Sequence, residues 1–105
     1  MKAIVSISVA LGLALAGPAA QAIEAIIKKA RCVACHAVDK KLVGPAYKDV
    51  AEKYRGDAGA VAKLAHKVRN GGSGVWGEIP MTPNGPDKIS DADLNTAIEW
   101  ILSLK

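Results

Sequence analysis

Cys32-Val33-Ala34-Cys35-His36 is the stretch of this sequence from which its fold is best predicted. The spacing Cys-x-x-Cys-His is the attachment pattern for c-type haem, in which both sulfurs bond the porphyrin covalently. The histidine that follows the second cysteine can then serve as the proximal ligand of the iron. Because the whole chain holds two cysteines, the pattern allows one haem of this kind.

Three other uses of the two cysteines compete with haem attachment. A thioredoxin-like redox site belongs beside a strand–helix unit, and no strand pattern is found here. A zinc site needs four tetrahedral ligands, and adjacent Cys35 and His36 can hardly both reach one ion alongside Cys32. A disulfide between Cys32 and Cys35 closes a very short loop, so it removes little chain entropy and stabilises poorly. Haem attachment is therefore the preferred hypothesis.

The amino terminus has the features of a secretory signal peptide. Met1-Lys2 precedes an apolar run over residues 3–16, and Ala20-Gln21-Ala22 forms a small-residue cleavage site. The apolar run is shorter than the roughly 20 residues that a membrane-spanning helix needs. We therefore expect residues 1–22 to be removed and residues 23–105 to form one mature domain. Export agrees with the cysteine motif, since bacteria attach c-type haem outside the cytoplasmic membrane.

Composition predicts a domain that needs help to fold. The chain contains two Trp, two Tyr and no Phe. Small domains bury a modest share of their surface and commonly depend on disulfide bonds, a metal ion or a cofactor for stability. A buried porphyrin would supply a large apolar body, so we expect the apo chain to be poorly folded. The net charge of +4 is spread along the chain and does not form the dense basic cluster of a nucleic-acid-binding protein.

Hydrophobic periodicity predicts an all-α domain with about four helices. The first spans residues 23–31 and runs into the cysteine motif. The second carries Tyr47 and Val50 on one face and is closed by Gly56. The third spans 58–70 with Asp57 as its N-cap, and the last spans 91–104 with Ser90 as its N-cap.

The segment 71–89 is too rich in Gly and Pro to form a regular element, and loops of this length are usually functional or disordered. It contains Met81, the only methionine of the predicted mature chain. Met81 could fill the core, which is the common use of methionine, or serve as the sixth ligand of a haem iron. His66 is the rival ligand, but on a helix it points away from the apolar face of Val61, Leu64 and Val68 and towards solvent.

With these residues assembled, the chain resembles the small bacterial class I monohaem cytochromes c. The resemblance covers essentially all of residues 23–105. The segments that carry it are Cys-Val-Ala-Cys-His at 32–36, Val-Gly-Pro-Ala-Tyr-Lys-Asp-Val at 43–50, Gly-Val-Trp-Gly at 74–77, Ile-Pro-Met at 79–81, Pro-Asn at 83–84 and Glu-Trp-Ile-Leu-Ser-Leu-Lys at 99–105.

The resemblance implies roles for further residues. The Pro45 carbonyl would accept a hydrogen bond from His36, and Trp76 would donate its indole N–H to a haem propionate. Asn84 would approach the Met81 sulfur. Lys67 stands where relatives often carry a basic residue facing a propionate, and a solvated lysine is an equally good interpretation. Thr82 and Glu78 depart from the family pattern and are expected to affect the tuning of the haem or the charge of the docking face.

The resemblance also implies a class I cytochrome c fold wrapped around one haem c, with His36 and Met81 as axial ligands. A protein of this kind carries one electron between a redox donor and an acceptor in the periplasm, through transient complexes, and catalyses nothing itself. The alternative is a haem enzyme or gas sensor with a labile sixth ligand. No nucleic-acid partner and no stable membrane insertion after signal cleavage are expected, and we expect a monomer.

Overall fold

Four α-helices build the part of the protein that the structure describes. The structure, a computed structural model, describes residues 18–105. The helices are α1 (Pro18–Lys29), α2 (Tyr47–Lys53), α3 (Ala60–Asn70) and α4 (Asp91–Ser103), and a 3₁₀ turn covers Cys32–Ala34. Within residues 18–105 there is no β-strand, only isolated bridges between His36 and Lys41 and between Gly72 and Met81. The all-α prediction is confirmed.

The carboxyl-terminal helix α4 organises the core because it packs against each of the other three helices. Its buried residues Leu94 and Ile98 join Ala30 and Ile89 in one cluster, with the apolar face of α3 packed against it. Its Ala97 joins Ile27 and Tyr47 in a second cluster. The apolar stripe predicted for this helix therefore faces the interior.

Sequence signals explain where α4 begins. Ser90 has an extended backbone, and its Oγ accepts a hydrogen bond from the Asp93 N–H at 3.2 Å, as an N-cap does. Asp91 and Asp93 lie in the first turn, where negative charge interacts favourably with the helix dipole. The predicted cap and start of α4 are confirmed.

Two helix starts differ from the prediction. The first helix already includes Pro18, the first described residue, rather than beginning at residue 23, because Ala19, Ala20 and Ala22 favour helix. The predicted leader, residues 1–22, thus lies largely outside the described residues, and its end belongs to α1. The third helix begins at Ala60 rather than at residue 58, because the Asp57 side chain accepts from the Gly59 N–H at 2.8 Å and closes a preceding turn instead.

Among residues 18–105, no helix combines the length and the hydropathy that a bilayer crossing requires. The long segment between α3 and α4 contains no helix and no strand, as predicted. It runs from Gly71 to Ser90 beside the helices and forms one wall of the cavity described next.

Candidate haem site

One large cavity gathers the residues that the sequence singled out. Its volume is about 750 Å³, within the size range of small-molecule and cofactor sites. Side chains from all four helices, from the cysteine motif and from the loop between α3 and α4 line it. All eight predicted site residues contribute to this lining: Cys32, Cys35, His36, Pro45, Lys67, Trp76, Met81 and Asn84. His66 does not; it is exposed on α3, as predicted.

The cysteine motif is held by a tight turn at the end of α1. Arg31 adopts a left-handed conformation with φ of 64°, which ends the helical path and directs the chain into the 3₁₀ turn. The backbone N–H groups of Cys35 and His36 both donate to the Cys32 carbonyl, at 3.1 and 3.0 Å. The turn thereby places two free thiols and one imidazole on the same cavity wall.

The orientation of the His36 ring is fixed from several sides. Its Nδ1 lies 2.8 Å from the Pro45 carbonyl oxygen. A carbonyl oxygen can only accept, so Nδ1 carries the proton and Nε2 keeps the lone pair that a metal ligand needs. The Tyr47 ring stacks on the imidazole at 5.3 Å between centroids.

Gly44 lies against the same imidazole. A Cβ at position 44 would come within 2.5 Å of the His36 Cε1 atom, so only glycine leaves room for the ring in this position. The Gly44 N–H also donates to the Cys35 carbonyl at 2.7 Å, which ties the segment 43–45 to the cysteine motif. Gly44 thus leaves space for the His36 ring, and the backbone of Gly44 and Pro45 bonds to the cysteine motif and to the imidazole.

The environment of Cys32 does not favour a thiol-redox role. Burial raises the pKa of the Cys32 thiol, and the neighbouring Cys35 raises it further. Reactive cysteines of disulfide oxidoreductases instead have a lowered pKa, because the thiolate is the nucleophile. A half-buried Cys32 beside a large cavity agrees better with a thiol that is covalently attached to a cofactor.

The loop between α3 and α4 brings Met81 to the cavity. Met81 exchanges two backbone hydrogen bonds with Gly72, at 3.0 and 2.9 Å, so its position is fixed to the end of α3. Gly71 has φ of +66°, and a Cβ there would collide with the Met81 carbonyl. A glycine at this junction is therefore required by both its conformation and the close approach of the loop.

The remaining predicted residues line the same cavity in different settings. Asn84 is 8% exposed, and its Nδ2 donates to the Thr82 carbonyl at 3.0 Å. The Trp76 ring is partly exposed, and the Lys53 ammonium lies 5.6 Å from its centroid, a cation–π contact. Lys67 borders the cavity from α3. The structure brings these residues to one site, and their individual roles toward the haem stay predictions.

Fold and site together define a small all-α protein whose cavity fits a covalently attached c-type haem. Two free thiols, an oriented imidazole and a thioether share one apolar cavity, which is the donor set that such a haem uses. The cytochrome c family model matches residues 20–105, which is most of the chain. The chain belongs to the cytochrome c family.

Known relatives agree with this assignment. The chain is 55% identical over 82 residues to cytochrome c-551 of Pseudomonas aeruginosa, covering 78% of this chain and 76% of that protein. It is 50% identical to cytochrome c-551 of Stutzerimonas stutzeri over the full length of both. The crystal structure of wild-type cytochrome c552 of Nitrosomonas europaea superposes with a TM-score of 0.72 at 50% identity, covering 78% of this chain and 99% of that one.

The predicted fold, family and cofactor are thus confirmed. The chain is a small class I monohaem cytochrome c, and it binds one c-type haem attached through Cys32 and Cys35. Sequence reasoning missed the stacking of Tyr47 on His36 and the contact between Lys53 and Trp76. Both join residues from separate segments, which hydrophobic periodicity cannot reveal. The stacked pair could have been suspected only from the position of Tyr47 directly after Gly-Pro-Ala.

Proposed function

We propose that this protein is a periplasmic electron carrier whose haem iron is ligated by His36 and Met81. The observation that carries the proposal is that both side chains line one cavity and that each is fixed by its backbone or ring contacts. When bound, the haem supplies a one-electron ferric/ferrous couple. The neutral Nε2 of His36 and the Met81 thioether would hold its iron, and a His/Met pair would raise the reduction potential.

The chain's own residues keep this site in one arrangement during electron transfer. Pro45 holds the proton on Nδ1 of His36, and Tyr47 and Gly44 prevent the ring from turning. The two bonds between Met81 and Gly72 hold the opposite ligand. A site that changes little between oxidation states has little to reorganise, which suits a carrier. With both axial positions filled, the iron offers no place for a substrate, so we propose no enzymatic activity.

The rim of the cavity supports brief docking of redox proteins. Val43, Val75 and Ile79 line the cavity and are 50%, 50% and 67% exposed. An apolar rim lets a partner approach the haem edge closely without a large interface, and redox encounters are typically small and transient. The amino-terminal pattern over residues 1–22 supports export, and the periplasm is the compartment in which we place the mature protein.

Carbon monoxide and a potentiometric titration separate a carrier from a haem enzyme or gas sensor. We expect one reversible one-electron transition and no carbon monoxide binding by the ferrous protein at neutral pH. Carbon monoxide competes with the sixth ligand, so Met81→Ala should bind it readily and serves as the positive control. Tight carbon monoxide binding by the unaltered protein would contradict the proposal and favour the sensor or enzyme.

A further inference from the structure

Arg69, in the last turn of α3, has an unusual environment for an arginine on a small protein. Its side chain is 18% exposed, whereas arginines are mostly solvated. It does not line the haem cavity. Its guanidinium instead reaches the segment that follows Met81. It therefore contacts the ligand loop, the segment 71–90 that carries Met81, from outside the cavity.

The guanidinium contacts three groups, two in the loop between α3 and α4 and one at the start of α4. Nη1 donates to the Asn84 carbonyl at 3.1 Å and to the Ile89 carbonyl at 2.7 Å. Nη2 donates to the Asp91 carboxylate at 2.6 Å. The Asp91 side chain is 92% exposed, so solvent weakens the ion pair. The two carbonyl contacts, made by a charged and largely covered donor, are the stronger part of the arrangement.

Asn84 transmits this contact to the ligand loop. Its backbone N–H donates to the Val68 carbonyl at 2.9 Å, and its Nδ2 bonds the Thr82 carbonyl, next to Met81. Arg69 also holds the backbone carbonyl oxygen of Asn84. The segment 81–84 is thereby fixed at Asn84 to the last turn of α3 and at Met81 to Gly72, just beyond that helix.

The residues that precede Met81 in the loop make fewer hydrogen bonds than those that follow it. Between residues 73 and 80, the structure shows one backbone hydrogen bond within the loop, from the Gly74 N–H to the Gly77 carbonyl at 2.8 Å. Trp76 adds the cation–π contact with Lys53. Apart from its own two bonds with Gly72, Met81 is therefore held mainly from the side of residues 82–84, which Arg69 contacts at Asn84.

We infer that Arg69 is a positioning residue that keeps Met81 on the haem iron. It acts through Asn84 and holds the loop in the geometry that ligation requires. This inference rests on the proposed function, in which Met81 is the sixth ligand. Loss of the guanidinium loosens residues 81–84 and increases the fraction of molecules in which Met81 has left the iron.

The test compares Arg69→Leu and Arg69→Lys with Arg55→Leu in the haem-containing protein. Arg55 is a matched control because its guanidinium also donates to a backbone carbonyl, that of Leu104 at 3.5 Å, away from the ligand loop. The measurements are the carbon monoxide affinity of the ferrous protein, the reduction potential and the hydrogen exchange of the Asn84 amide. A purely structural role would lower stability, which speeds exchange of amides generally, and would leave the carbon monoxide affinity and the reduction potential unchanged.

We expect Arg69→Leu to raise the carbon monoxide affinity by at least about tenfold, to lower the reduction potential and to speed exchange of the Asn84 amide. Arg69→Lys keeps a charged donor and should show a smaller change in the same direction. If the leucine variant does not fold, the lysine variant provides the test in its place. Arg55→Leu should match the wild type. Asp91→Asn, which leaves both carbonyl contacts in place, should change the affinity less than Arg69→Leu does.

Wild-type values for both Arg69 variants would overturn the inference while leaving Met81 ligation intact. Failure of the proposed function looks different. If the wild type itself binds carbon monoxide tightly, Met81 is not a stable ligand, and the inference falls together with the proposed function.

Discussion

At the scale of single residues, the contacts around His36 explain the site best. The cysteine motif predicted the histidine, and the resemblance predicted its bond to Pro45, which the structure places at 2.8 Å. The Tyr47 stack could not be predicted, because periodicity assigned Tyr47 only to the buried face of α2. His36 and Tyr47 lie in separate segments, and their contact depends on how residues 37–46 fold back onto the cysteine turn.

Tyr47 provides a prediction because its hydroxyl oxygen is buried and finds no hydrogen-bond partner among residues 18–105. The ring is 4% exposed, and burial raises the pKa of the phenol. An unpaired buried polar group costs about 1–3 kcal/mol, and phenylalanine keeps the stack on His36. We expect Tyr47→Phe to raise the free energy of unfolding of the haem-containing protein by up to about 1 kcal/mol, measured by denaturant titration.

The matched control for this substitution is Tyr54→Phe, at the end of α2, where the tyrosine is partly exposed. It should change the free energy of unfolding by less than about 0.5 kcal/mol, as surface substitutions usually do. A clear loss of stability in Tyr47→Phe would show that the hydroxyl has a partner in the haem-containing protein and would contradict the assignment.

At the scale of elements, the helices were predictable where local chemistry determines their ends. Ser90 marked the start of α4 because an N-cap depends on one side chain and the next turn. The start of α3 was misplaced because Asp57 closes a different turn, with the Gly59 N–H. The start of α1 was misplaced because the boundary was set at the predicted cleavage site, whereas residues 18–22 are already helical and their alanines favour helix.

The cap of α4 leads to a prediction about stability alone. Ser90→Ala removes the acceptor for the Asp93 N–H, so we expect the free energy of unfolding to fall by about 1 kcal/mol. The visible spectrum should not change, because Ser90 does not line the haem cavity. Ser103→Ala, at the exposed far end of the same helix, is the control and should have a smaller effect. An unchanged Ser90→Ala protein would mean that the cap contributes nothing.

At the scale of the whole molecule, we expect the fold to depend on its cofactor. Among the described residues, no large side chain is fully buried, and the core consists of two small clusters beside a cavity of about 750 Å³. The small number of aromatic residues in the sequence leads to the same expectation. The sequence could not predict which helix would organise the core, since that depends on how α4 packs against the other three.

Removal of the haem should therefore unfold the protein. In a Cys32→Ser, Cys35→Ser variant without haem, we expect no cooperative thermal transition by circular dichroism, because the walls of the cavity lose their common packing partner. The haem-containing wild type, treated identically, is the control. A cooperative transition in the apo variant near the wild-type temperature would show that the polypeptide core suffices, and the structural role of the haem would be rejected.

The central claim is that a haem attached at Cys32 and Cys35 has His36 and Met81 as its axial ligands, which makes the protein an electron carrier. The most direct test is the visible spectrum of the purified periplasmic protein in both oxidation states. We predict a low-spin, six-coordinate haem in each state, with the weak far-red band of methionine-ligated ferric haem present in the wild type and lost in Met81→Ala. A wild-type ferric spectrum without that band, or with the features of a five-coordinate iron, would contradict the account.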